Sequence, residues 1–314
     1  TITVVINKLK FEITTLRKDI STDDGRHANV EFISDWEIDA KRRDFTINAM
    51  AIDEKGNVID IDGKGLEDLS SGILRTVGDS AERISEDGLR IMRAFRFLDG
   101  SEAGVRELDG GLSSAIKSNV HMLERVSKER IWAELRMILS GDNIREILES
   151  MGGHGILDSI LPGIKHNYNL KFSKNPRVNL ALICSNEEVA GRALTDSLRI
   201  YLKISNDDSL SISFLHDSKS AELDLSPKSI RRFRTFLPEY LQREYLAFYS
   251  GLGKDAHEME DAVSSLPPNS IGNSPLVDGI LLSEVTGLEP GRRLGRLKGW
   301  LPVSYTHLTL PTKA

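Results

Sequence analysis

The spacing of apolar residues changes character just before residue 80, and that change limits what this chain can build. Up to about Thr76 the text runs in short alternating stretches. TITVVI and FEITTLR flank the turn pair Asn7-Lys8, and AMAIDEKGNVIDI doubles back at Lys55-Gly56-Asn57. Each pattern predicts a β-hairpin. Between them Lys18 to Arg26 (KDISTDDGR) is polar and predicts a mobile loop. After Gly78 the period becomes helical. Ile84, Ile91, Phe95 and Leu98 fall on one helical face, and a second amphipathic run covers Ser127 to Leu139. IREILESM, RVNLALIC and RRFRTFLPEYLQREYLAFY also read as helices. The expected architecture is an α/β head over residues 1–78, mostly β-hairpins with helices, then an all-α neck over 79–140 and a helical body and tail over 141–302.

Composition narrows the function classes. Of the 314 residues 39% are hydrophobic and 28% charged, as in ordinary soluble domains. No apolar run approaches the roughly 20 residues that cross a bilayer. Cys184 is the one cysteine, which excludes a disulfide framework or thiolate metal cluster and points to a reducing, cytoplasmic setting. The net charge of −6 argues against a uniformly basic nucleic-acid binder but leaves room for local phosphate-binding patches. Thr1 stands within a strand pattern, so upstream sequence is expected. Val303 to Ala314 (VSYTHLTLPTKA) departs from the helical text and is expected to be a non-native tail.

Two constellations carry chemistry. Lys41 to Met50 (KRRDFTINAM) sets Arg42 and Arg43 beside Asp44, with Asn48 one turn on. An arginine fork suits triphosphate oxygens, and Asp44 is suited to hold an arginine or accept from a sugar hydroxyl. A charged segment capping a helix, with Asp44 as N-cap, explains the same text. Arg83 to Arg96 (RISEDGLRIMRAFR) reads as one helix with Arg83, Asp87 and Arg90 on one face and Glu86, Arg90 and Arg93 on another. Arg90, Arg93 and Arg96 advance three residues at a time as a basic stripe. A solvated, salt-bridged surface is the plain reading. However, four arginines face two acids within this segment, and the surplus calls for an anion such as phosphate.

Asp87 with Arg90 permits a sharper inference. An ionised aspartate accepts hydrogen bonds and an arginine donates them. Cytosine and adenine each present an amino donor beside a ring-nitrogen acceptor, whereas uracil and guanine present the reverse. A fixed pair of these side chains would therefore accept C and A. U and G would leave polar groups unpaired at about 1–3 kcal/mol each.

RRDFTINAM, DIDGKGLEDLSSGILRTVGD, RISEDGLRIMRAFRF and RVSKERIWAEL resemble, in order, the motifs of class II CCA-adding tRNA nucleotidyltransferases, which share the DNA polymerase beta superfamily with bacterial poly(A) polymerases. The resemblance runs from Glu12 to about Gly163 and returns weakly at LRIYLKIS and GLEPGRRLGRLKGWL. It implies an α/β nucleotidyltransferase head and addition of CCA to tRNA 3′ ends from CTP and ATP with Mg2+. Arg43 and Asp44 would help hold the nucleotide, Asp87 and Arg90 would read its base, and Arg93 and Arg96 would assist with the triphosphate, with Arg42, Asn48 and Glu86 completing the nucleotide-binding set. ERIWAEL would brace the base-reading helix, and Asp23, Asp24 and Arg26 would belong to a flexible loop that switches C to A addition. The family's metal-binding aspartate pair has no counterpart here and is expected upstream of Thr1. Glu12 is the candidate third carboxylate, with an exposed strand glutamate as the alternative. Poly(A) addition, CC- or A-only addition, and a non-catalytic RNA- or nucleotide-binding module are the other readings. His216-Asp217 resembles an HD phosphohydrolase dipeptide without a partner set. Arg231, Arg232, Arg234 and the group Arg292, Arg293, Arg296 and Lys298 suit tRNA phosphates or a solvated face equally.

Overall fold

The computed structural model describes residues 1–22, 28–226, 229, 230, 233, 234, 237–264, 279–295 and 297. The chain forms two compact units, residues 1–163 with Tyr201–Lys203, and residues 164–200 with 204–314. The expected head and neck both lie within the first unit.

Strand β1 (Ile2–Ile6) pairs antiparallel with β2 (Leu9–Ile13), closed by Asn7 and Lys8 at φ 51° and 67°. Two successive positive φ values match the twist of a two-residue hairpin. The register sets Ile2 opposite Ile13, Val4 opposite Phe11 and Ile6 opposite Leu9, so one face is wholly apolar. Much of that face is open to solvent. The second expected hairpin forms from β5 (Ala51–Ile52) and β6 (Val58–Ile59). Its turn is held by the Asp53 carboxylate, which accepts from the Lys55 and Asn57 backbone and the Asn57 amide.

The expected loop from Lys18 to Arg26 is corrected in part. Arg17–Thr22 is strand β3, paired with β4 (Ala28–Phe32) through an irregularity between Asp19 and Ser21. Backbone pairing needs no apolar side chain, so alternation gave no signal. Asp23, Asp24 and Arg26 lie outside the described residues. Helices also interrupt the strand-like region. α1 (Trp36–Lys41) is capped by Asp35, and α2 (Gly65–Ser71) packs on the short helical turn Thr46–Asn48. Conversely, β8 (Glu107–Leu108) pairs parallel with β7 (Ile73–Leu74) after the helical text has begun. Two-residue strands are too short to show a period.

The single helix read across residues 83–96 is two. α3 (Ser80–Glu86) starts at the Asp79 cap and ends where Asp87 turns extended at φ −150°, ψ 106°. α4 (Leu89–Leu98) follows. Asp87 accepts from the Leu89 backbone N–H at 3.0 Å, so its carboxylate competes with the helical ladder and restarts it. Ile84, Ile91 and Phe95 are fully buried, as the spacing predicts. After α5 (Gly110–Asn119), α6 (Lys128–Ile138) packs along α4, and α7 (Ile144–Gly153) and α8 (Ile156–Ile160) complete the unit's helices.

In the second unit α9 (Pro176–Ile183), α10 (Gly191–Leu202) and α11 (Asn206–Asp217) precede helices Glu239–Gly251, His257–Ser264 and Gly279–Thr286. Arg177 bridges Asp208 at 2.8 Å and Glu244 at 3.5 Å, tying α9 to α11 and to helix Glu239–Gly251. Among the described residues no helix is long and apolar enough to cross a membrane.

Gly88 sits at the break between α3 and α4, where an added Cβ would lie 2.6 Å from the Met122 carbonyl oxygen. Relief requires backbone movement. Gly88→Ala is expected to cost about 1–3 kcal/mol, read as a lowered thermal midpoint.

Candidate nucleotide-binding site

The site is assembled around carboxylates. Asp39, on the inner face of α1 and 1% exposed, holds two arginines just past the helix end. Its Oδ1 accepts from Arg42 Nε at 2.8 Å and Nη2 at 2.6 Å, and from the Arg17 backbone N–H at 3.2 Å. Its Oδ2 accepts from Arg43 Nε at 3.2 Å and Nη2 at 3.0 Å. Burial pushes the Asp39 carboxyl up, but donors from Arg42, the Arg17 backbone and Arg43 outweigh it and hold the group below the usual carboxylate range. Arg43 also donates to the Asn48 carbonyl at 3.1 Å and lies 5.5 Å from the Trp36 ring centre. Sequence reading passed over Asp39, although Asp39 with Arg42 and Arg43 at i+3 and i+4 was a legible helical pairing.

Asp44 is no helix cap. Phe45 holds the cap position of the following turn, without a side-chain bond. Asp44 Oδ1 accepts from the Phe45 N–H at 3.0 Å and the Asn48 amide at 3.1 Å. Its Oδ2 accepts from Arg93 Nε at 2.6 Å and Nη2 at 2.5 Å. The motif around Asp44 is thus joined to α4, through a residue that sequence spacing placed on a separate stripe.

On α3 and α4, Glu86 accepts from Arg83 at 2.6 Å and also from Arg90. Arg83 donates to the Arg43 carbonyl at 2.6 Å, linking α3 to the double-arginine segment. Burial, then the Arg90 charge, lowers the Arg83 guanidinium below its ordinary value. Asp87 Oδ2 accepts from Arg130 of α6 at 2.7 Å. Glu134 of α6 pairs with Arg96 at 2.6 Å and stands 3.8 Å from Arg93. Both arginines lie over Phe97, Arg93 at 5.4 Å and Arg96 at 4.1 Å from the ring centre.

Two expectations change. Asp87 and Arg90 share no helix face, because the break intervenes, and their side chains take different partners, Arg130 and Glu86. The surplus of arginines over acids along one helix is met partly from outside it, by Asp44 and Glu134. In the wider set, Arg42, Arg43, Arg83, Arg90, Arg93, Arg96 and Arg130 meet Asp39, Asp44, Glu86, Asp87 and Glu134. Seven positive charges against five negative leave two positive. That is a field for an anion, held on side chains already oriented.

The remaining candidates do not join this set. Glu12 lies on β2 opposite Thr3, on the hairpin face shared with Val5 and Lys10, and is exposed. Among the described residues no three His, Cys, Asp or Glu side chains converge as metal ligands. They do not fit a magnesium site. Arg231, Arg232, Arg296 and Lys298 lie outside the described residues, and Arg292 and Arg293 are exposed.

The His216-Asp217 dipeptide is structural. His216, 1% exposed, faces the Val189 carbonyl at 3.0 Å, and Asp217 accepts from the Gly191 N–H at 2.6 Å, pinning the start of α10.

Comparisons with known proteins give the family. Residues 1–75 match the family model described as the poly(A) polymerase head domain, and residues 107–167 the one described as a probable RNA- and SrmB-binding site of polymerase A. The CCA-adding enzyme of Streptococcus sanguinis is 32% identical over 311 residues, spanning 95% of this chain and 75% of that protein. The mitochondrial CCA tRNA nucleotidyltransferase 1 of Mus musculus is 42% identical over 179 residues, 56% of this chain but 40% of its own. The fold is shared with a Bacillus stearothermophilus CCA-adding enzyme solved in complex with CTP, at TM-score 0.65 and 23% identity, covering 96% of this chain and 75% of that one. The relatives that cover most of the chain are CCA-adding enzymes, so its class is that of the nucleotidyltransferases. The chain belongs to the CCA-adding enzyme family.

His216 supplies a pH prediction. Burial, then the neighbouring Lys219 ammonium, lowers its pKa below the ordinary histidine value. The unfolded chain therefore takes up the proton first on acidification. Stability is full above the unfolded value of about 6.5 and declines as pH falls towards the folded value. Urea midpoints at about pH 7.5 and about pH 5.5 are expected to differ by less in His216→Gln than in the wild type.

Proposed function

We propose that the protein adds CMP and AMP to the 3′ end of tRNA, taking CTP and ATP as donors. The observation that carries this reading is the set of seven arginines held by five carboxylates around the break between α3 and α4. Family membership supports it. A Bacillus stearothermophilus relative was solved with CTP and a Thermotoga maritima relative with tRNA.

In this reading Arg42, Arg43, Arg93 and Arg96 receive the triphosphate and sugar. Asp44 accepts a ribose hydroxyl in place of part of its bond to Arg93. Asp87 and Arg90 read the base edge. Asp87 accepts from the exocyclic amine of C or A, and Arg90 donates to the ring nitrogen beside it. Each is preset by a neighbour, Asp87 by Arg130 and Arg90 by Glu86, so the base meets fixed rather than wandering groups. Asp87 is 21% exposed at its side chain and Arg90 16%, which leaves both reachable. Mg2+ belongs to the reading through the family, but the described residues are assigned to nucleotide selection and not to the transfer step.

The setting proposed is cytoplasmic. Cys184 is fully buried and its thiol is pushed up to about 12, so it is chemically inert there. Poly(A) addition is the second reading, favoured by the description of the matched head domain.

Separate titrations with CTP, ATP, GTP and UTP test the reading. CTP and ATP are expected to bind and the other two not. ATP alone would select poly(A) or A-only addition. Asp87→Asn, whose amide both donates and accepts, is expected to lose about tenfold or more of the preference for CTP over UTP, the size of one misplaced buried hydrogen bond. Unchanged preference would remove the protein-template mechanism.

A further inference from the structure

Arg42 and Arg43 are adjacent like charges, and nothing in their own backbone fixes where their guanidinium planes lie. A free arginine loses side-chain entropy when it seizes a phosphate, and two neighbours repel until the anion arrives. In this chain both are already committed. The Asp39 carboxylate takes the Nε and Nη2 of each, Oδ1 from Arg42 and Oδ2 from Arg43, so one carboxylate divides its two oxygens between two guanidinium groups and grips each along one edge. The Arg17 carbonyl accepts a further bond from Arg42 Nε at 3.1 Å, and the Asn48 carbonyl one from Arg43 Nη1 at 3.1 Å. Among the described residues Arg42 Nη1 has no hydrogen-bond partner. The side chains of Arg42 and Arg43 stay 23% and 35% exposed while that of Asp39 is 1% exposed. The carboxylate is thus inside and both arginine side chains stay partly open to solvent, with one net positive charge over the three groups.

We infer that Asp39 is a positioning residue that presets Arg42 and Arg43 as a two-arginine receptor for the phosphates of the incoming nucleotide. The inference rests on the reading of these arginines as nucleotide ligands. Asp39 touches no nucleotide itself and acts through the two guanidinium groups. Asp39 and Trp36 both project from α1, so one short helix supplies the carboxylate for both arginines and the ring beside Arg43.

The test combines CTP titrations with arginine side-chain NMR on the full chain. Asp39→Asn is expected to weaken CTP and ATP binding by about tenfold, as befits loss of charge-assisted bonds to two ligand residues. It should add nothing once Arg42→Ala and Arg43→Ala are present, because residues acting as one unit are non-additive. The Nε–H signals of Arg42 and Arg43 should be protected from exchange in the wild type and lose that protection in Asp39→Asn. If Asp39→Asn unfolds the head, Asp39→Glu, which keeps the charge but displaces it, serves in the same comparison. Wild-type CTP affinity in the Asp39 variant, or a full additional loss on top of the double arginine variant, overturns the inference while leaving the nucleotide site in place. Undiminished CTP binding by the double arginine variant removes the nucleotide reading of these residues and the inference with it, and the NMR signals then report a purely structural clamp.

Discussion

Arginines gathered in one place repel each other, and the candidate site exists because carboxylates are threaded among them. Asp39, Asp44 and Glu134 are nearly buried, and each holds at least one guanidinium group by short bonds. Removing a buried carboxylate of this kind leaves partner charges uncompensated, which costs far more than an exposed ion pair contributes. The same contacts join segments distant in sequence. Asp44 with Arg93 ties the head to α4, and Glu134 with Arg96 ties α4 to α6. The ion pairs of the candidate site therefore also hold the unit together.

The break at Asp87 and Gly88 is the second constraint. A continuous helix would carry Arg83, Asp87 and Arg90 up one side and let them pair with one another. The extended residue at Asp87 rotates the following helix, frees its carboxylate for Arg130 and leaves Arg90 to Glu86. Paired to each other, Asp87 and Arg90 would have to separate before meeting any ligand. Here each is held by a neighbour outside the pair.

Much of the architecture was legible because its signals are local. The turn at Asn7-Lys8, the hairpin at Gly56 and the buried faces of α4 and α6 follow from spacing and turn chemistry. The strand Arg17–Thr22 was not legible, since polar residues pair through their backbone as well as apolar ones do. β7 and β8 were hidden by their length, and α2 by the turn-like residues around it.

Most residues of the site were readable one by one, as arginines and acids within motifs resembling a known family, whereas Asp39, Arg130 and Glu134 joined it only through their contacts. By itself the sequence determined the kinds of groups present, the apolar faces that must be buried and the surplus of positive charge. Tertiary structure alone decided who pairs with whom. Arg93 goes to Asp44 across 49 residues and Arg130 to Asp87 across 43, because partners are chosen by packed distance, while sequence periodicity reports only neighbours on one element.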